Sequence, residues 1–306
     1  MNTFFDKITA STALEGRIRE PARSEGEENV LPLWDVQASS FEVFAVNEPP
    51  SYRLKDRGSV DPEEITFRVR GIMCQKRLPP IYQARNTLTL GYLRQTVQLV
   101  TFMPNSHFGD YFAKINDLTH LFNTSVGGQV LPPATQKYEG HASLVISNPY
   151  FTSRSLTPTM ESMALGTSVD PTGFLSRNQP QNFHHTMDNE VVYLKEIADA
   201  QSVRFQVLPP DQFENGDIVE AQFSFVAFPV AKNKQEFQLR MCLRALILID
   251  DSFRRASMMV NTNYPEAVVP VFTLKRKVTY SFRDENGMED SNGGLRQGSK
   301  RICIEE

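Results

Sequence analysis

Five arginines form the pattern in this chain best suited to chemistry: Arg68 and Arg70 in EITFRVRGI, Arg94 in LGYLRQTVQLV, and Arg240 and Arg244 in EFQLRMCLRALILI. Each sits in a segment that otherwise alternates or runs apolar, so each would ride on a strand. A guanidinium is a permanently charged, forked donor that matches phosphate oxygens. Strands rise about 3.3 Å per residue, which puts Arg240 and Arg244 on one side roughly 13 Å apart, a spacing that suits successive phosphates of an extended single strand. The turn FPVAKNKQEF adds Phe228, Lys232 and Lys234, and the first half adds Tyr82. Cations attract a nucleic-acid backbone, and rings give sequence-tolerant stacking worth about 1–3 kcal/mol per base. The candidate nucleic-acid contacts are therefore Arg68, Arg70, Tyr82, Arg94, Phe228, Lys232, Lys234, Arg240 and Arg244. The competing reading of any one arginine is a solvated side chain paired with a nearby acid.

Other chemistry fails on spacing. His184 and His185 stand near Asp188 and Glu190 in NFHHTMDNE, but adjacent residues of an extended chain point to opposite sides, and no H-x-x-x-H or C-x-x-C accompanies them. They read as loop histidines. His107, His120 and His141 are scattered and form no triad. GGLRQGSK, from Gly293 to Lys300, has serine before lysine where a phosphate-binding loop needs the reverse order. Asp250 and Asp251 read as turn acids, and Lys275 to Lys277 as charge protecting a strand edge. The expectation is a protein without catalytic residues, metal or cofactor.

Composition bounds the partners. The formal net charge of −4 over 306 residues removes a generally basic surface, so any anion site must be local. A hydrophobic content of 40% supports a real core, and nineteen prolines with twenty-one phenylalanines suggest short strands punctuated by turns. Cys74, Cys242 and Cys303 are far apart and odd in number, which suits a reducing compartment with no disulfide framework. The N-terminal sequence lacks a sustained apolar run, and no uncharged stretch approaches the roughly 20 residues of a bilayer span. A soluble, intracellular protein with no membrane partner is expected, nuclear or cytoplasmic left open.

The strands and helices that would position these residues can be read along the chain. Residues 1–30 have mixed charge and no periodicity and read as a flexible arm with room for one helical turn. FEVFAV alternates from Ser40, and NEPPSYRLKDRGSVDPEE reads as a long exposed loop. EITFRVRGI alternates with Ile65, Phe67 and Val69 on one side and Arg68 and Arg70 on the other, the pattern of a half-buried strand. TLTLGYLRQTVQLVTF is long enough for a strand, with a parity flip beside Gly91 that suggests a bulge. Phe108, Phe112, Ile115, Leu118 and Phe122 recur at helical spacing over His107 to Phe122. Residues 151–181 are rich in Pro, Ser, Thr and Gly and read as a linker or long loop. In GDIVEAQFSF, Val219, Ala221, Phe223 and Phe225 face a core, and the alternation breaks beyond Phe225, so Phe228 turns onto a working surface. VVPVFTLKRKVTYSF reads as a last strand or strand pair, and residues 283–306 as a disordered tail.

The order G-D-I-V, an alternating strand, a proline, a polar turn and a strand ending L-R-A-L-I-L-I-D resembles the C-terminal part of phage-type single-stranded DNA-binding proteins with an OB fold. In that family a G-x-x-V strand leads through a loop into an L-x-L-x-x-V-x-L strand. The likeness covers about 40 of the 306 residues. It implies a five-stranded Greek-key barrel that binds the strand on its curved face, with a helix such as His107 to Phe122 plugging one end. The terminal KRICIEE departs from that family's long acidic tail. The chain is also similar to uncharacterised proteins encoded in multiple copies by fungal genomes, a likeness that brings no function with it.

The fold expectation is mainly β, with one or two OB-like Greek-key barrels and a short helix: a first domain over 31–150 and a second over 182–282. Whether the halves are true duplicates stays open. The functional expectation is non-catalytic binding of single-stranded DNA or RNA, DNA favoured, in a protein that can form homo-oligomers. The alternative is an assembly protein, such as a jelly-roll or β-sandwich subunit of a viral shell, although residues 1–30 lack the strongly basic arm of such a subunit.

Overall fold

The structure is a computed structural model that describes residues 1–20, 30–60, 63–84, 87–198, 203–230 and 233–263. The strands are β1 (Val30–Pro32), β2 (Phe41–Asn47), β3 (Pro50–Asp56), β4 (Thr66–Arg77), β5 (Arg94–Val100), β6 (Gln129–Leu131), β7 (Thr135–Tyr138), β8 (His141–Pro149), β9 (Thr152–Ser153), β10 (Phe183–His184), β11 (Val192–Ala198), β12 (Val203–Val207), β13 (Ile218–Val230) and β14 (Asn233–Asp250). The helices are α1 (Lys7–Ile18), α2 (Phe108–Ser125), the single turn α3 (Phe174–Arg177) and α4 (Ser252–Asn263). None of the described helices is long and apolar enough to cross a membrane.

The spine is the antiparallel β13–β14 hairpin, whose two ends have different neighbours. At one end β4 pairs with β13 and β11 pairs in parallel with β14; at the other, β3 meets β13 and β6 pairs in parallel with β14. The result is a 12-stranded mixed sheet whose main path runs β12-β11-β14-β13-β4-β5-β8-β7. The hairpin register slips at Gln222/Phe223, where Ala245 and Leu243 are the successive partners and Arg244 is the extra residue. Such a bulge sharpens twist, and the sheet coils until β8 lies close to β14 although four ladder steps separate them.

The chain is mainly β, as expected, but the sheet is not closed into a barrel: its path ends at β12 and β7, which are not joined. The segments read as separate domains over 31–150 and 182–282 interleave their strands in this one sheet, because β13, from the second half, pairs with β4, from the first. Residues 151–181 fold back as an excursion. It contains β9, which pairs with β10, and buries Leu175 with Leu90, Tyr150 and Phe151 in a small second core.

Three local expectations are corrected. Residues 7–18 of the expected mobile arm form α1: the Asp6 side chain accepts from Thr9 N at 3.0 Å, and Ala10, Ser11, Leu14 and Ile18 make a buried stripe. The expected loop after Asn47 contains β3, which pairs with β2 from Phe41↔Asp56 to Asn47↔Pro50; its charged residues disguise an alternation that buries Leu54. The expected bulged strand around Gly91 is a 3-10 turn over Thr87–Tyr92, with the strand starting at Arg94. A Cβ on Gly91 would come within 2.8 Å of the Phe183 ring, so close packing accounts for the glycine. Helix α2 forms as read and buries Phe108, Ile115, Leu118 and Phe122 of the expected stripe, while the expected Phe112 is half-buried and Tyr111 is buried beside it. The last strand expected in VVPVFTLKRKVTYSF, the tail 283–306 and the GGLRQGSK and KRK motifs lie outside the described residues.

Candidate nucleic-acid interface

The arginines expected to share one trough divide into two groups. Arg68 and Arg70, expected on a solvent-facing side of β4, are each 4% exposed. Glu220 Oε2 accepts from Arg68 Nη1 at 3.3 Å and from Arg70 Nε at 2.9 Å, and Arg70 Nη1 also donates to Glu20 Oε2 and to the Arg17 carbonyl. Ile18, Pro32, Trp34 and Tyr111 wall in the cluster. Burial alone would lower Arg70, but Glu220 and then Glu20 hold it above the ordinary arginine range. The cause is α1, which covers the face that an alternating strand would otherwise show to water. Arg68 and Arg70 are sealed.

The second group gathers around Cys242 on β14. Its thiol is pushed up by burial, while Arg244, Arg94 and Arg53 pull it down and Glu64 opposes them, which puts four charged side chains in one neighbourhood. Two of the arginines are neutralised. Arg53, 8% exposed, donates to Glu64 at 3.0 Å and pairs with Asp188; Arg244 donates to Glu64 Oε2 at 2.8 Å and to the Asp188 carbonyl at 2.8 Å. The Asp188 carbonyl also accepts from Asn148 Nδ2 at 2.7 Å, tying β8 to β14 across the coil. Among the described residues, the buried Nε atoms of Arg53 and Arg244 and the Ser224 hydroxyl have no hydrogen-bond partner.

Arg94 and Arg240 are different. Neither makes an ion pair among the described residues. Half-buried Arg94 donates to Ser147 Oγ at 3.0 Å and to the Ser147 carbonyl at 3.2 Å, both neutral acceptors. Burial holds Arg94 below the ordinary arginine range; Cys242 opposes this, and the charge of Arg240 adds to it. Arg240 is exposed and its guanidinium lies 5.7 Å from the centre of the Phe228 ring. Two cations that repel each other and make no ion pair among the described residues, one beside an aromatic ring, form a place where an anion is favoured.

Tyr82 is 60% exposed. Tyr92, two residues before Arg94, is 75% exposed and packs edge-on to Phe183 at 5.4 Å. Lys232 and the Lys234 side chain lie outside the described residues. The structure thus brings Arg94, Arg240, Arg244 and Phe228 together and separates Arg68 and Arg70 from them. Sequence reasoning missed Arg53, Glu64 and Glu220 as the residues that decide which arginines stay free. The one available signal was Glu220, the single charge in the strand segment IVEAQFSF.

His184 and His185 point apart, as adjacent residues in an extended segment should, and are 1% and 6% exposed. His185 Nδ1 lies 2.8 Å from the Tyr150 carbonyl. Burial holds both below the ordinary value near 6.5; Arg154 and His185 add to this for His184, while the Tyr150 carbonyl and Glu190 oppose it for His185. Neutral in the fold, they take protons more readily once the chain unfolds. Their stabilisation is therefore complete above about pH 6.5 and is lost as pH falls toward the depressed folded values. The urea midpoint should drop between about pH 7.5 and about pH 5.5, and drop less in His184→Gln. An unchanged slope in that variant would show that His184 does not carry the linkage. Among the described residues no group of three His, Cys, Asp or Glu side chains could hold a metal ion.

Set against family models, curated proteins and solved structures, the chain matches none.

Proposed function

We propose that this protein binds single-stranded nucleic acid, DNA in preference, through the face that carries Arg94, Arg240 and Phe228, and that this binding itself involves no catalytic step. The observation that supports it best is the Arg94–Arg240 pair: two positive charges that make no ion pair among the described residues, in a molecule of net negative charge, with Arg240 beside Phe228. Arg94 and Arg240 would engage phosphates and Phe228 a base. Tyr82 and exposed Tyr92 are further rings for stacking. Lys232 and Lys234 adjoin Phe228 in sequence and would extend the positive field. The OB-fold likeness adds the expectation of a curved β surface as the binding face.

Fluorescence anisotropy of a labelled poly-dT oligonucleotide at two salt concentrations tests the reading. With two phosphate contacts, affinity should fall about 7-fold when salt rises fourfold. Arg94→Gln/Arg240→Gln should weaken binding and flatten the salt slope by about 1.4. Phe228→Ala should weaken binding by about 1–3 kcal/mol with the slope unchanged. Absence of binding at low salt rejects the function; binding that the double variant leaves intact rejects the site.

A second reading, self-assembly, is favoured by one observation. Among the described residues strand β12 ends the sheet path, and Val207 on it is 71% exposed, an arrangement that suits edge pairing between copies. Large particles in sedimentation, with no nucleic-acid binding, would favour it.

A further inference from the structure

Ser162, His184 and Thr157 form a hydrogen-bonded chain on the excursion between β8 and β11, apart from the residues of the proposed binding face. Ser162 Oγ lies 2.9 Å from His184 Nδ1, and Thr157 Oγ1 lies 2.6 Å from His184 Nε2. The tautomer follows from Thr157, which has one proton. Its hydroxyl donates to the Ser153 carbonyl at 3.1 Å, so toward His184 it accepts, and the imidazole proton sits on Nε2. Nδ1 then presents a lone pair to the Ser162 hydroxyl. His184 is 1% exposed while Ser162 is at the surface, so the base is shielded and the hydroxyl is reachable. Met163 N donates to the His185 carbonyl at 2.8 Å, clamping the residue after the serine to the residue after the histidine.

A pocket of about 210 Å³ is lined by Met163 and His185, the residues that follow Ser162 and His184 in the chain, together with Leu165, Tyr193 and Leu208. The backbone amides of Ala164 and Leu165, which also line it, donate to no protein acceptor among the described residues. Free amides two and three residues from a nucleophile can serve as donors to a developing oxyanion.

We propose that Ser162 is a nucleophile activated by His184 and that it accepts the acyl group of a small acyl ester, whose acyl chain occupies this pocket. As Ser162 Oγ bonds to the carbonyl carbon, its proton passes to His184 Nδ1. The ester C–O bond breaks, and the departing alkoxide takes that proton, leaving an acyl-serine and an alcohol. Water, giving its proton to the same nitrogen, then releases the carboxylic acid and restores Ser162. Thr157 is a positioning residue. It holds the tautomer but, being neutral, gives the imidazolium no charge stabilisation.

The test is labelling of the full chain with a fluorophosphonate probe, read by peptide mass spectrometry. Ser162 Oγ forms a bond to phosphorus, fluoride leaves, and the proton passes through His184 to solvent. One modified peptide, containing Ser162, is expected, and it should be absent in Ser162→Ala. Labelling should be about 100-fold slower in His184→Gln, slowed in Thr157→Val and restored in Thr157→Ser. Should His184→Gln fail to fold, the pH profile of the unmodified protein decides. A rate that follows a single titration below the ordinary histidine value supports His184 as the base, with Arg154 and His185 its charged or titratable neighbours. No labelling of Ser162 between about pH 5 and about pH 9, equal rates in a folded His184→Gln variant, a rate that ignores this titration, or labelling spread over many serines would overturn the proposal.

Discussion

Replacing Glu220 with alanine should lower the stability of the protein by about 3–5 kcal/mol, because it leaves two guanidinium groups buried without their shared partner. Glu220 is 3% exposed and its Oε2 receives both Arg68 and Arg70. Glu20 pairs with Arg70 at 3.1 Å, and Arg68 donates to the Glu20 carbonyl at 3.3 Å. Water cannot compensate readily, since Ile18, Trp34 and Tyr111 close the cluster. Trp34 is the single tryptophan of the chain and lies at that wall, so its emission in a urea titration reports the change directly. Replacing all three charges together, as Arg68→Met/Arg70→Met/Glu220→Leu, should recover most of the loss, because an ion cluster exchanged for apolar groups of similar volume is often neutral. A loss below about 1 kcal/mol in Glu220→Ala would mean that water reaches the cluster and that its charges are solvated as surface groups are.

Deleting residues 1–20 should be comparably damaging. Phe5, Leu14 and Ile18 are each no more than 6% exposed, and full burial of such side chains contributes roughly 1.5–3 kcal/mol apiece. Ser11 Oγ also accepts from the Phe102 amide at 3.0 Å, and Glu15 accepts from the His107 amide at 2.8 Å, so the deletion strands donors beside α2 as well. A drop of about 5 kcal/mol or more is expected, enough to unfold a marginal domain. A free arm would behave otherwise: its removal would shift the urea midpoint by less than about 0.5 kcal/mol.

These two experiments bear on the difference between local and long-range information. The period of α2 was legible because five large apolar residues recur at three and four, a pattern whose meaning depends only on the geometry of a helix. The alternation of Val219, Ala221, Phe223 and Phe225 was legible for the same reason: a strand shows its faces residue by residue. Helix α1 was not, because its stripe is built from Ala10, Ser11, Leu14 and Ile18, small or few enough to pass for a solvated segment until a sheet lies beneath it. Strand β3 was hidden in the same way, its charged residues reading as solvent until Glu64 and Asp188 arrive to meet Arg53.

The arginines make the distinction sharpest. Residue type and spacing were enough to say that Arg68, Arg70, Arg94, Arg240 and Arg244 ride on strands and that each is charged. Which of them remain available was settled by partners distant in the chain: Glu220 lies 152 residues from Arg68, and Glu64 lies 180 from Arg244. A carboxylate acts over a few ångströms, and only folding brings one that near. Local geometry is written into neighbouring residues, whereas neutralisation is a property of the assembled sheet, which leaves Arg94 and Arg240 without an ion pair among the described residues.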